Sequence, residues 1–240
     1  IDRDALVSHL EAELYHLETL RAWESNPMEY AGMPGEAVDV LVKRDFAPAK
    51  ERLRAVIGRL SGIPAVYRAA RANVKNPPRE FTDLALRMAR GSAGYFEQTL
   101  PAWAKAAAGG DAALYAEFQR TNGEALKATR AFATWLKADL LPRSKGKYAL
   151  GEEKYRALLR LEERVETPLP ELLAIGEAQL ARDYEAFQRT AKRIDPSRSA
   201  AQVMKLLSDD HPTEGDLIPS VRRTVEEARR FLIERDIVTV

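Results

Sequence analysis

The chain has 240 residues, 45% apolar and 30% charged, so it can bury a continuous core without metal or disulfide staples and lacks the composition of a disordered segment. Its 37 basic and 36 acidic residues leave a formal net charge of +1, which offers no electrostatic footprint for nucleic acid or an anionic membrane; without cysteine there is no disulfide framework, thiolate metal site or cysteine nucleophile. No apolar run approaches the ~18 residues needed to span a bilayer, and the chain opens on Ile1 and a cap-like Asp2 without signal-peptide features, as if trimmed from a longer precursor.

Spacings of three and four put Leu6, Leu10, Leu14, Leu17 and Leu20 on one stripe of a helix from about Asp2 to Trp23, and Ser25-Asn26-Pro27 stops it. A second helix is expected after Pro34-Gly35, running to about Ser61 with Val38, Leu41, Val42, Phe46, Leu53, Val56, Ile57 and Leu60 inward. Pro48 lacks a backbone donor and predicts a break or kink near Phe46. Pro64 suits the first turn of a third helix, which Asn76-Pro77-Pro78 closes.

The next helix starts near Arg79 and is interrupted at Gly91, Gly94 and Pro101. After a turn at Gly109-Gly110, Asp111 can cap a long helix carrying Leu114, Phe118, Leu126, Phe132, Leu136 and Leu140, with a local distortion at Asn122-Gly123. Pro142 to Gly151 has no helical period and reads as the main irregular loop. Helical pattern resumes with Tyr155, Leu158, Leu159 and Leu161, and Thr167-Pro168 opens a helix with Leu173, Gly176, Leu180, Tyr184, Phe187, Ala191 and Ile194 on one face. Ser199 with Gln202 matches a capping box, and a last helix presents Ile218, Val221, Val225, Ala228 and Leu232. Ile237 to Val240 is β-branched and reads either as the start of a strand or as a frayed tail. The sum is an all-α protein, a multi-helix antiparallel array of about eight or nine helices forming one domain or part-domain over residues 1–240.

Catalytic machinery is hard to build from this chain. Its three histidines are His9, His16 and His211. His9, Glu13 and His16 share a helix face, and Glu13-x-x-His16 has the spacing of di-iron bundles, but a second such pair is missing. The zincin signature His-Glu-x-x-His is absent, as are Gly-x-Ser-x-Gly, a dinucleotide glycine fingerprint and a phosphate loop. Carboxylate pairs occur at Glu152-Glu153, Glu162-Glu163 and Glu226-Glu227, and Glu162-Glu163, near Arg160 and Arg164, reads as a solvated, salt-bridged face. No catalytic residue and no cofactor site is assigned.

Several stretches in order carry a resemblance: Trp23-Glu24-Ser25-Asn26-Pro27 with Tyr30, Ile63-Pro64, Ala69-Ala70-Arg71-Ala72-Asn73-Val74, Pro77-Pro78-Arg79, Trp135-Leu136, Leu141-Pro142-Arg143-Ser144, and Leu150-Gly151-Glu152-Glu153-Lys154-Tyr155. Together they resemble the bacterial domain-of-unknown-function family 885 over essentially the whole chain. The resemblance implies a longer, exported or lipid-anchored protein that looks like a zinc metallopeptidase with a mostly helical, groove-containing fold. Its zinc would be held downstream of this chain. By that resemblance the chain is a non-catalytic helical wall that helps enclose a peptide substrate, with Arg71, Asn73, Gly151 and Tyr155 near the groove; packing or turn roles compete for each. Its partners would be the C-terminal half of the parent protein or the peptide, and an apolar surface left bare would promote self-association. A helical binding or scaffold module without enzymatic activity is the alternative.

Overall fold

A computed structural model describes residues 2–237. Of these, 83% are helical, and no strand occurs among them, so the fold is all-α as the periodicity predicts. The chain divides into two compact units, Ile1–Glu166 and Thr167–Val240.

In the first unit, α1 (Asp2–Tyr15) runs into a π-helical turn (His16–Leu20), and a short α2 (Ala22–Ser25) follows. The four core helices are α3 (Pro27–Lys43), α4 (Ala49–Asn73), α5 (Arg79–Gly94) and α7 (Ala112–Trp135). The shorter α6 (Leu100–Ala108), α8 (Leu141–Arg143) and α9 (Glu152–Glu163) complete the unit. α4 packs on both α3 and α7, and α5 closes the layer against the same two helices. Leu53, Val56, Leu60, Ile63 and Tyr67 line the inner face of α4 at helical spacing. They meet Val38 of α3, Ala85 and Ala89 of α5, and Phe118 and Phe132 of α7 in one continuous core. Tyr67 stacks on Phe132 with ring centroids 4.3 Å apart.

Several helix boundaries depart from the sequence reading. The first helix does not run to Trp23, because Arg21 in a left-handed conformation (φ +49°) separates the π-helical turn from α2, and α5 runs unbroken through Gly91 to Gly94. Asn26 ends α2 and caps α3, accepting the Met28 N–H at 3.1 Å, so α3 begins at Pro27 and carries Pro34 inside it. Pro64 likewise lies within an unbroken α4 and does not open a new helix. A proline inside a helix costs roughly 3 kcal/mol. Burial of Leu60, Ile63 and Tyr67 around Pro64 outweighs that cost. At Pro48 the chain does break: residues 44–48 are irregular, and Phe46 points outward, 59% exposed, because it lies in that connection and not on a buried face.

The interruptions at Pro101 and Pro142 take one form. π-helical turns, Tyr95–Thr99 and Leu136–Leu140, directly precede Leu100-Pro101 and Leu141-Pro142. In each, the leucine N–H reaches back five residues, to Tyr95 O and Leu136 O respectively. The wider turn makes room for a ring that would otherwise press on the carbonyl four residues earlier. Proline has no N–H to continue the five-residue pattern, which deprives the Phe96 carbonyl of a backbone donor. Asn122 supplies one: its Nδ2 donates to Phe96 O at 2.8 Å. Asn122 is therefore a buried polar partner within an uninterrupted α7, not the expected distortion.

Asp111 caps α7 as expected, accepting the Leu114 N–H at 3.1 Å. The segment between α8 and α9 is irregular and folds onto Asn76-Pro77-Pro78 through Lys145 N–H to Asn76 Oδ1 (3.0 Å) and Gly146 N–H to Pro77 O (3.0 Å). α9 packs on α1, where Ser8 Oγ donates to Leu161 O at 2.8 Å. The leucine stripe of α1 and its π-helical turn lacks the cover that its pattern suggests: Leu6, Leu10, Leu14 and Leu17 are all exposed.

The second unit comprises α10 (Leu169–Ile194), α11 (Ala200–Ser208), a 3-10 turn (Glu214–Asp216) and α12 (Leu217–Glu234). Ala191, Ala200 and Val203 form its small core, and the Ser199–Gln202 capping box opens α11. Apart from Ala191, the apolar face of α10 is not buried, and α12 has no buried residue. Ile237 is exposed, and the rest of the expected terminal strand, 238–240, lies outside the described residues.

Candidate functional site

Arg71 and Asn73 stand near the C-terminal end of α4, where the local structure engages both. The last carbonyls of a helix lack intrahelical donors, so side chains and neighbouring segments gather there. Asn73 Nδ2 donates to the Tyr30 hydroxyl at 2.9 Å, and that hydroxyl donates to Trp23 O at 2.9 Å. Arg71 Nη2 donates to Ala131 O at 2.9 Å, with its guanidinium over the Trp135 ring. Lys75 N–H donates to Glu24 O at 3.0 Å, and Arg143 Nη1 to Lys75 O at 2.8 Å. The corner joins α2, α3, α4, α7 and α8.

Tyr155 is exposed on α9, which packs on α1. Gly151 precedes α9 with φ +85°, a left-handed conformation that glycine adopts without strain. The structure thus brings Arg71 and Asn73 to one helix end but gives them different partners, and it carries Tyr155 on another element.

His16 Nε2 meets Glu162 Oε1 at 2.5 Å, across the contact of α9 with the N-terminal helix and its π-helical turn. Among the described residues no three His, Asp or Glu side chains gather into a metal-binding set, so His9, Glu13 and His16 share a helix face without converging on one point. His211 lies exposed, its Nδ1 3.0 Å from Pro212 O.

A concave feature absent from the sequence reading runs between α3 and α5. Gly32 and Gly35 face α5 side chains here: a Cβ at Gly32 would stand 2.9 Å from Met88 Cε, and one at Gly35 3.0 Å from Ser92 Oγ. Flanking this crossing are two adjoining cavities of about 730 Å³ and 350 Å³ that share Gly32, Glu36 and Met88. The larger has Met28, Met33 and Leu84 along it, and the smaller ends at Asp39, Ser92 and Tyr95. The Tyr95 hydroxyl is buried without a hydrogen-bond partner. Burial, with a smaller contribution from the Asp39 charge, pushes its pKa up to about 12. Glu29, Gly32, Glu36 and Asp39 fall on one face only when α3 starts at Pro27; a start after Gly35 cuts that face in two. Asn26 before Pro27, a cap followed by proline in the first turn, signals that start of α3, though not its pairing with α5.

The fold and this site define an all-α protein built on a four-helix core with a groove along one helix pair. The chain belongs to the family described as bacterial protein of unknown function (DUF885), whose pattern matches residues 1–239. A solved structure described as "a putative lipoprotein of unknown function" from Shewanella oneidensis shares the fold, with TM-score 0.70 and 24% sequence identity. The match covers 100% of this chain and 46% of that one, so the chain spans about half the length of this structural relative. No curated protein matches the sequence.

Proposed function

We propose that the chain is the non-catalytic helical wall of a longer bacterial protein that resembles a zinc metallopeptidase, and that it helps enclose a peptide substrate. The observation carrying this reading is the uncovered apolar surface on helices that otherwise form well. Leu6, Leu10 and Leu14 on α1 with Leu17 on its π-helical turn, Leu173, Leu180 and Tyr184 on α10, and Ile218, Val221 and Val225 on α12 are all exposed. Amphipathic helices bury such stripes, and the relative of about twice the length has further chain to cover them. The description of that relative as a lipoprotein supports an exported, periplasmic setting. Zinc belongs in this reading to the parent protein, not to this chain.

The parent protein tests the reading. Expression with its downstream sequence, followed by elemental analysis and a peptidase assay, is expected to give one zinc per chain and zinc-dependent hydrolysis, with neither in residues 1–240 alone. Absence of a downstream His-Glu-x-x-His would sink the peptidase reading. The alternative, a helical binding or scaffold module without enzymatic activity, draws on the α3–α5 groove, and a zinc-free parent protein that still binds peptide would favour it.

A further inference from the structure

We infer that the groove between α3 and α5 docks a basic, apolar peptide segment that lays aliphatic side chains on methionines and sets a lysine or arginine against Glu36. Three of the chain's four methionines, Met28, Met33 and Met88, lie along the groove. Thioether side chains are unbranched and polarisable, so a surface made of them adapts to partners of differing shape. Met33 and Leu84 are exposed beside it, which gives a partner apolar area to bury.

Charge selects among partners. The ionisable side chains lining the two cavities are Glu29, Glu36 and Asp39, together with the neutral phenol of Tyr95, and no basic side chain lines either among the described residues. Asp39 already pairs with Lys43 at 2.7 Å. Glu36 bends back towards Gly32, its Oε1 3.2 Å from where a Cβ there would sit, so its carboxylate stands where the cavities join. An acidic peptide, a nucleic acid or an anionic lipid surface is repelled there. A wholly apolar segment would strip water from Glu36 and return no partner. A segment carrying both aliphatic and basic side chains satisfies both halves of the groove.

Gly91 makes the groove testable. Unlike Gly32 and Gly35, it has nothing within 4 Å of its missing Cβ, and it lines the smaller cavity. A side chain there starts from open space at the edge of the smaller cavity, so a leucine adds bulk to the groove. The inference stands apart from the peptidase reading, because the groove belongs wholly to this chain and needs neither zinc nor a downstream segment.

The experiment is fluorescence anisotropy of the 240-residue chain with a labelled amphipathic Leu/Lys helical peptide and a Leu/Glu counterpart of the same length. The Leu/Lys peptide is expected to bind at least about tenfold more tightly than Leu/Glu, and to weaken as salt rises. Gly91→Leu and Glu36→Gln are each expected to weaken Leu/Lys binding about tenfold. The melting temperature of Gly91→Leu should hold or rise, since leucine favours a helix interior over glycine. Peptide bound to the bare faces of α10 and α12 is insensitive to both substitutions and sets the background. Equal affinity for the two peptides overturns the inference, as does unchanged Leu/Lys binding in a folded Gly91→Leu chain. Should Gly91→Leu fail to fold, Glu36→Gln on its exposed site decides by the same criterion.

Discussion

Asn73 and Tyr30 are joined by a 2.9 Å hydrogen bond that links the end of α4 to the start of α3, and the Tyr30 hydroxyl passes the connection on to Trp23 O. Asn73→Ala is expected to cost about 1 kcal/mol, the usual net worth of a partly buried hydrogen bond. Urea midpoints of Asn73→Ala, Tyr30→Phe and the double variant measure the coupling. Additive losses would show that the bond contributes nothing, and would return Asn73 to consideration as a substrate contact.

Arg52 closes the break at Pro48. Its buried guanidinium donates through Nη1 to Val42 O at 2.9 Å and Arg44 O at 3.1 Å, and through Nη2 to the Asp45 carboxylate at 2.6 Å. A cation at the C-terminal end of α3 also meets the negative end of the helix dipole. Arg52→Met keeps the aliphatic stem and removes the donors, leaving α3 carbonyls unpaired, and is expected to cost about 2–3 kcal/mol. Asp45→Asn should cost far less, because Asp45 lies in water with its side chain 90% exposed. Thermal unfolding of the two variants separates carbonyl capping from the ion pair; equal losses would contradict this account.

Gly146 is required by space and not by an unusual φ. A Cβ there would stand 2.3 Å from Asn76 O and 2.8 Å from the Pro77 carbonyl carbon, both backbone atoms. Gly146→Ala is therefore expected to destabilise by about 1–3 kcal/mol, the usual cost of overpacking. The Lys145 and Gly146 amides should lose hydrogen-exchange protection first. Retained protection at both would show that the loop shifts without strain.

Tyr95 predicts an alkaline weakness. Its pKa is pushed up from 10.0 to about 12, so between these values the unfolded chain releases the phenolic proton while the folded one keeps it. The contribution is fully present below pH 10 and is lost as pH rises through about 12. Tyr95→Phe is expected to flatten that decline and to leave neutral-pH stability unchanged or slightly raised, since the hydroxyl has no partner. Denaturation midpoints across this window provide the check. An unchanged slope in the variant would assign the alkaline loss to other groups.

What the sequence makes legible is what local rules control. Leu53, Val56, Ile57 and Leu60 recur at helical spacing and are buried, and the Asp111 and Ser199 caps form as their residue types require. Pro34 and Pro64 mislead because tertiary burial overrides a local penalty that reads as a boundary. Leu6 and Leu10 mislead in the opposite sense: amphipathic spacing announces a stripe to be covered but not whether its cover lies in the same chain. The groove stayed hidden because it is a relation between α3 and α5, set by where Gly32 meets Met88, and no spacing within one helix encodes it.

The Phe96–Asn122 hydrogen bond makes the history of this helix pair depend on order. With proline at 101, Asn122 is needed to supply the donor that the backbone cannot. Any residue with its own N–H at 101 would restore that donor and make Asn122 dispensable. A lineage that lost Asn122 first would pass through a form with an orphaned Phe96 carbonyl, whereas one that lost Pro101 first would not. The two positions are therefore expected to be epistatic, with each asparagine replacement tolerated or rejected according to a residue on another helix.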